Sequence, residues 1–252
     1  MNRRAELLEL QRVLLPPVLP AIGCTEAAAH YRSHNHDLDL GGDWYDLVDR
    51  PDDQVVAIVG DVVGHGVSQI GVMGQLRAAS NALARTLPQP ADVLTSLDAF
   101  AADVPGAAYA SAMVLMLDGT TTGRIAAAGH PPLLHVSASG VVDVVEAGRG
   151  PLLGVSGERP GATFTYGIDD LLVMYTDGLV ERRRGNHDIG ADVGRFVAGR
   201  LDEPCDVIAA EVVDRFGADS DDDIVVLVLR PRNHRSPDYL LRPLSVPSIR
   251  FD

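Results

Sequence analysis

Two continuous apolar runs, Val55-Val56-Ala57-Ile58-Val59 and Leu171-Leu172-Val173-Met174-Tyr175, each close on an aspartate: Asp61 follows Gly60, and Asp177 follows Thr176. Apolar runs without polar alternation belong to strands covered on both faces. Such strands require a sheet with covering layers on each side, and they deliver whatever follows them to a sheet edge. A third carboxylate group, Asp221-Asp222-Asp223, stands directly before the run Ile224-Val225-Val226-Leu227-Val228-Leu229. Adjacent carboxylates repel one another unless they are solvated or neutralised by a cation. Asp118-Gly119, after Leu117, is the internal control and reads as an ordinary hairpin turn.

The remaining pattern organises these strands. Strand-like segments at 26–32, 44–49 and 54–60 precede a helical pattern over 67–87, with Val72, Leu76, Ala79, Leu83 and Leu87 at threes and fours. A second helix is expected from Ala91 to Ala102, after Pro90. Short strands follow at 109–117, 124–128, 132–136, 141–146, 162–166 and 170–175, then helices at 189–201 and 205–216 and a last strand from Ile224 to Leu229. The Gly, Pro and Asp links suit antiparallel hairpins. Paired helices among such strands predict an α+β fold, with two packed antiparallel sheets flanked by helices.

Three segments are expected: a lead-in helix within residues 1–18, one domain over 19–230, and a poorly ordered tail over 231–252, where periodicity is lost. Leu7, Leu10 and Leu14 form a stripe on the lead-in helix, which either packs on its own domain or serves to form a homodimer or dock a regulator.

Composition excludes several functions. No run approaches the roughly 18 apolar residues of a membrane span, so a cytoplasmic protein without membrane contact is expected. A net charge of -14 speaks against nucleic acid as a partner. All 21 basic residues are arginine, which removes lysine as a nucleophile or Schiff-base former. Cys24 and Cys205 have no CxxC spacing and no Cys-x5-Arg loop; they read as buried thiols.

The motif set resembles the bacterial SpoIIE/RsbU-type serine/threonine phosphatases, the prokaryotic branch of the metal-dependent PPM (PP2C-like) family. The resemblance covers about residues 9 to 230. It rests on Leu10-Gln11-Arg12-Val13-Leu14-Leu15-Pro16, Gly41-Gly42-Asp43-Trp44-Tyr45-Asp46, Gly60-Asp61 to Gly66 and Met73-Gly74-Gln75-Leu76-Arg77. Ala128-Gly129-His130-Pro131-Pro132, Pro151-Leu152-Leu153-Gly154, Tyr175-Thr176-Asp177-Gly178 and Asp222-Asp223-Ile224 complete the order. Ser68-Gln69 and Ile224-Val225 depart from common family residues without removing a ligand.

The resemblance implies a four-layer αββα sandwich holding two Mn2+ or Mg2+ ions. Asp61 matches the bridging aspartate, the Val62 carbonyl a further ligand, and Asp177 and Asp222 the carboxylates on the other ion. Asp43 matches an acidic position near the second metal, with Asp46 and Asp223 ranked below. It also implies a phosphoserine or phosphothreonine protein as substrate, a STAS-type anti-sigma-factor antagonist being the expected kind. His65 stands in the loop after Asp61 and either donates a proton to the leaving oxygen or orders that loop. His130 reads as structural. A two-metal phosphodiesterase and a non-catalytic phosphopeptide-binding module of the same fold remain the competing readings.

Overall fold

A computed structural model describes residues 14–16, 19–20, 24–33, 41–51, 53–64, 66–180, 189–218 and 220–232. Strands β1 (Thr25–Arg32), β2 (Trp44–Arg50) and β3 (Gln54–Asp61) lead into helices α1 (Val67–Ala84) and α2 (Pro90–Ala101). Strands β4 (Ser111–Leu117), β5 (Thr122–Ala128), β6 (Leu133–Val136), β7 (Val142–Val145), β8 (Arg149–Gly150), β9 (Ala162–Thr165) and β10 (Leu171–Tyr175) follow. A 3₁₀ turn at Asp177–Leu179, helices α3 (Ile189–Ala198) and α4 (Cys205–Phe216), and strand β11 (Ile224–Pro231) complete the described chain.

One sheet runs β1-β11-β10-β6-β7, and the other β2-β3-β4-β5-β8 with β9 added on β5. Helices α1 and α2 cover the second sheet, while α3 and α4 cover the first. This is the expected αββα sandwich. The continuous apolar runs follow from it: on β11, Val225, Leu227 and Leu229 join the cluster that includes β3 and β4, whereas Ile224, Val226 and Val228 join the cluster under α3 and α4. Each such side chain contributes about 1.5–3 kcal/mol by burial.

The departures are local. Helix α1 stops before residue 87, because Thr86 and Leu87 both turn their N–H groups back to the Leu83 carbonyl ahead of Pro88. Strand β4 starts at Ser111 and not at 109, since Tyr109 has φ 69 and the Ala107–Ala110 turn precedes it. The β5–β8 pairing is parallel, an exception to the expected antiparallel sheets, and β8 is too short to leave a sequence pattern. The Asp118-Gly119 turn is the ordinary hairpin expected, with Asp118 N–H on the Thr122 carbonyl at 3.3 Å.

Strand β11 also outruns the expected boundary. Pro231 pairs with Thr25, and Arg232 N–H donates to the Cys24 carbonyl at 2.7 Å, so the break placed at Pro231 comes two residues early. Proline is tolerated at this terminal position, where its carbonyl still accepts from Asp169 N–H at 2.9 Å.

The end of the lead-in segment packs on its own domain. Arg77 donates to the Leu14 carbonyl at 2.8 Å, Tyr45 Oη–H to the Pro16 carbonyl at 3.3 Å, and Leu15 is buried. Leu7 and Leu10, and with them the homodimer expectation, lie outside the described residues, as does the tail beyond Arg232. Cys24 and Cys205 are buried free thiols.

Candidate metal centre

Four segments meet at one pole of the sandwich: the exits of β3 and β10, the entry of β11, and the Gly41-Gly42-Asp43 stretch before β2. Main-chain and hydroxyl bonds join them. Val62 N–H donates to the Gly42 carbonyl at 3.1 Å, and Thr176 N–H to the Val225 carbonyl at 3.1 Å. The Thr176 hydroxyl accepts from Val225 N–H at 2.9 Å and donates to Asp43 Oδ2 at 2.7 Å, crossing from one sheet to the other. Glycines allow the approach. A Cβ on Gly41 would lie 1.4 Å from Asp223 Oδ2, and one on Gly178 would lie 2.0 Å from the Asp223 carbonyl oxygen.

The carboxylates act on one another strongly. Asp43 is fully sequestered, and burial first, then the charges of Asp61 and Asp223, push its carboxyl well above the ordinary range. Asp61 is pushed up to about 7 by burial, then by Asp177, with Asp222 and Asp223 adding to it. Asp43 and Asp61 hydrogen-bond each other, so in the absence of a cation a shared proton relieves part of the repulsion.

Asp43, Asp61, Asp177 and Asp222 are therefore brought into one electrostatic neighbourhood, and Val62 follows Asp61 directly in the same strand exit. The two aspartates ranked below these behave differently from each other. Asp223 is buried and faces Gly41, while Asp222 is exposed, with its Oδ1 accepting from Asp223 N–H at 2.9 Å. Asp46 turns away and ties β2 to α1, accepting from Asn81 at 2.8 Å and pairing with Arg77 at 3.2 Å. His65 lies outside the described residues, as do Arg182, Arg183 and Arg184.

Sequence reasoning missed Thr176 as the link between the sheets, because its partner Asp43 is 133 residues away. It also missed Tyr31. This phenol is almost wholly buried beside Asp223 and Asp43, and its hydroxyl closes no hydrogen bond of standard geometry.

The donor set fits a hard divalent cation. All candidate ligands are oxygens, as magnesium and manganese prefer. The repelling carboxylates gain from positive charge, and the Tyr31 hydroxyl, with the Gly41 main chain near it, has capacity left for a hydrated ion's water. Among the described residues no group of three carboxylate, thiolate or imidazole side chains stands ready to hold an ion alone, so main-chain oxygen and water would have to complete the shell.

Two sheets packed between helix pairs, with carboxylates gathered at one pole, define the PP2C-like class of fold. The family model for Stage II sporulation protein E (SpoIIE) matches residues 51–232, and the chain belongs to the SpoIIE family. The phosphoserine phosphatase RsbP of Bacillus subtilis is 28% identical over 156 residues, covering 59% of this chain and 38% of that protein. A crystal structure of RsbU and RsbW domains from Mycobacterium tuberculosis superposes with TM-score 0.78 at 31% identity, covering 87% of this chain and 63% of that one. The PP2C phosphatase domain of SpoIIE from Bacillus subtilis shares the fold, with TM-score 0.69 at 17% identity over 84% of this chain and 64% of that one. The chain thus spans less than two thirds of each of these relatives.

Proposed function

We propose that this chain is a protein serine/threonine phosphatase that hydrolyses phosphoserine or phosphothreonine at a dinuclear manganese or magnesium site. The ligands would be Asp43, Asp61, the Val62 carbonyl, Asp177 and Asp222, with the inward-facing Asp223 beside them. One observation carries the reading: Asp61, at the tip of a strand buried on both faces, is pushed up to about 7 by burial and by carboxylates from two other segments. A purely structural site would pair such groups with arginine, as this chain does elsewhere.

When bound, the ions would supply charge neutralisation and make water a competent nucleophile at neutral pH. The chain's own part is to hold and orient. Thr176 fixes the Asp43 carboxylate by hydrogen bonding, and the Val62 N–H bond to the Gly42 carbonyl anchors the residue whose carbonyl would be a ligand. His65, between Gly64 and Gly66, is the proposed proton donor to the leaving oxygen, because histidine titrates near neutrality. The consecutive charges of Arg182, Arg183 and Arg184 would attract a phosphoprotein through their field.

The family and the similarity to RsbP and to an RsbU–RsbW protein support a place in partner switching, with a STAS-type anti-sigma-factor antagonist as the phosphoprotein. The chain's net charge of -14 disfavours nucleic acid. Among the described residues no helix is long and apolar enough to cross a membrane; we propose that the enzyme works in the cytoplasm.

The test is manganese-dependent hydrolysis of p-nitrophenyl phosphate, bis(p-nitrophenyl) phosphate and a phosphoserine peptide by wild type and Asp61→Asn. Monoester and peptide turnover that falls by about a thousandfold in the variant is expected, in line with removal of a central catalytic group. Diester turnover would instead favour the phosphodiesterase, and metal-dependent peptide binding without turnover the binding module.

A further inference from the structure

We propose that His130 is a positioning residue, a bridge between the two sheets that sets the spacing of the strand ends carrying Asp61 and Asp177. The proposal rests on the metal-site reading above and assigns a role to a buried group which that reading leaves unused.

The chain is built to turn this imidazole inward. Strand β5 ends at Ala128, and Gly129 takes φ 62 with its N–H on the Gly150 carbonyl at 2.9 Å. Leu152 stands where a Cβ on Gly129 would be, so no other residue type makes this turn without strain. Pro131 then fixes the exit. His130 consequently has no exposure at all.

Both ring nitrogens face functional strands. On one side Nδ1 lies 2.7 Å from the Ser111 hydroxyl in a buried contact, and Ser111 is the residue registered opposite Asp61 in the β3–β4 ladder. On the other side is the main chain of Tyr175, the last residue of β10 and two residues before Asp177. Nε2 closes no hydrogen bond of standard geometry, while the Tyr175 main chain favours a proton on the ring. Burial pushes the imidazole down to about 3, so the ring is neutral and carries a single N–H. The arrangement that serves both neighbours has Ser111 donating to Nδ1 and the Nε2 proton aimed at Tyr175. A rigid, uncharged ring then spans the sheets from beneath, while the bond from Thr176 to Asp43 spans them from within the site.

A residue that only fills the core and one that positions ligands differ in what they change. The experiment is isothermal titration of manganese into metal-free wild type, Ser111→Ala, His130→Ala, His130→Asn and the Ser111→Ala/His130→Ala pair, with urea midpoints for each. Ser111→Ala deletes one oxygen and should weaken manganese binding about tenfold, the lower range for loss of an outer-shell partner, with little movement of the urea midpoint. His130→Ala should weaken it at least as much, His130→Asn should recover part through an oxygen in place of Nδ1, and the pair should be no worse than His130→Ala alone. Wild-type manganese affinity in Ser111→Ala would overturn the proposal, even if His130→Ala does not fold. Hydrolysis of p-nitrophenyl phosphate by the wild type is the control. If the wild type neither binds manganese nor hydrolyses p-nitrophenyl phosphate, the metal reading itself fails and this role with it; if it does both and the variants match it, only the positioning role fails.

Discussion

Glu26 on β1 and Asp170 before β10 lie at the pole of the sandwich away from the candidate site, and the two poles treat carboxylates in opposite ways. At the far end Glu26 accepts from Cys205 N–H at 2.9 Å and pairs with Arg232 and with the buried Arg230, while Arg232 also reaches Asp169 at 2.6 Å. Asp170 accepts from His135 at 2.7 Å, Gly167 N–H at 2.6 Å and Ala138 N–H at 2.8 Å. Burial alone would raise Glu26 and Asp170, but these donors outweigh it and both are held below the usual carboxylate range. At the near end burial and like charge act together, and Asp43 and Asp61 go up. The two poles of the sandwich thus show what a carboxylate looks like when donors satisfy it and when burial and like charge leave it unsatisfied. That contrast, more than the number of aspartates, marks the functional pole.

The sharpest way to test the contrast is pH in the absence of metal. Asp61 stands at about 7 in the folded chain against an ordinary 3.8, so its protonated form belongs to the fold. That contribution is complete below about 4 and is lost as pH rises through about 7, and a shift of this size corresponds to on the order of 4 kcal/mol. Metal-free wild type should therefore lose thermal stability relative to metal-free Asp61→Asn between pH 4 and 7, a comparison in which the opposite contribution of the neutral His130 cancels, and manganese should restore the wild type most at the upper end of that window. A metal-free difference that stays flat across that window would show that the near-end carboxylates are solvated and would dissolve the contrast.

The paired end should respond to mutation and not to metal. Arg230 is 3% exposed and donates to the Glu203 carbonyl at 2.6 Å as well as facing Glu26. Arg230→Ala should cost about 3 kcal/mol in urea denaturation, near the lower figure for breaking a buried pair because Arg232 still holds Glu26. Manganese affinity should be unchanged. A change in both would mean that the two ends are coupled along the strands.

How much of this was readable from the chain follows from what each feature depends on. β3, β10 and β11 were legible because a strand covered on both faces has to be apolar throughout, and their terminal aspartates were legible because they interrupt those runs. The Asp118-Gly119 turn was legible because its geometry is local. Arg149-Gly150 was not, since two residues carry no period, and neither was the last stretch of β11, where Pro231 reads as a stop yet suits a strand end. Within the site the sequence named the segments but not their facing. Asp222 and Asp223 are adjacent in one turn, and only the approach of Gly41 determines that Asp223 is the one turned inward. Thr176 and His130 depend on partners supplied by the opposite sheet, which no local pattern encodes.

The smallest expected effect sharpens the far end. Asp170 uses both oxygens as acceptors, so Asp170→Asn places an amide donor against one of the Gly167, Ala138 or His135 donors and should cost about 1–2 kcal/mol, the price of an unsatisfied buried group. Because the folded chain holds Asp170 below its ordinary value, its ionised form belongs to the fold. The contribution is present above about 4 and is lost as pH falls further. The stability difference between wild type and Asp170→Asn should hence be constant from pH 5 to 8 and shrink below pH 4, whereas Asp61 produces its change between about pH 4 and 7. Urea midpoints for both proteins at pH 3.5, 5 and 7.5 would separate the two behaviours. If the difference instead grew in acid, Asp170 would be a neutral acceptor, and the two poles of the sandwich would no longer be opposites.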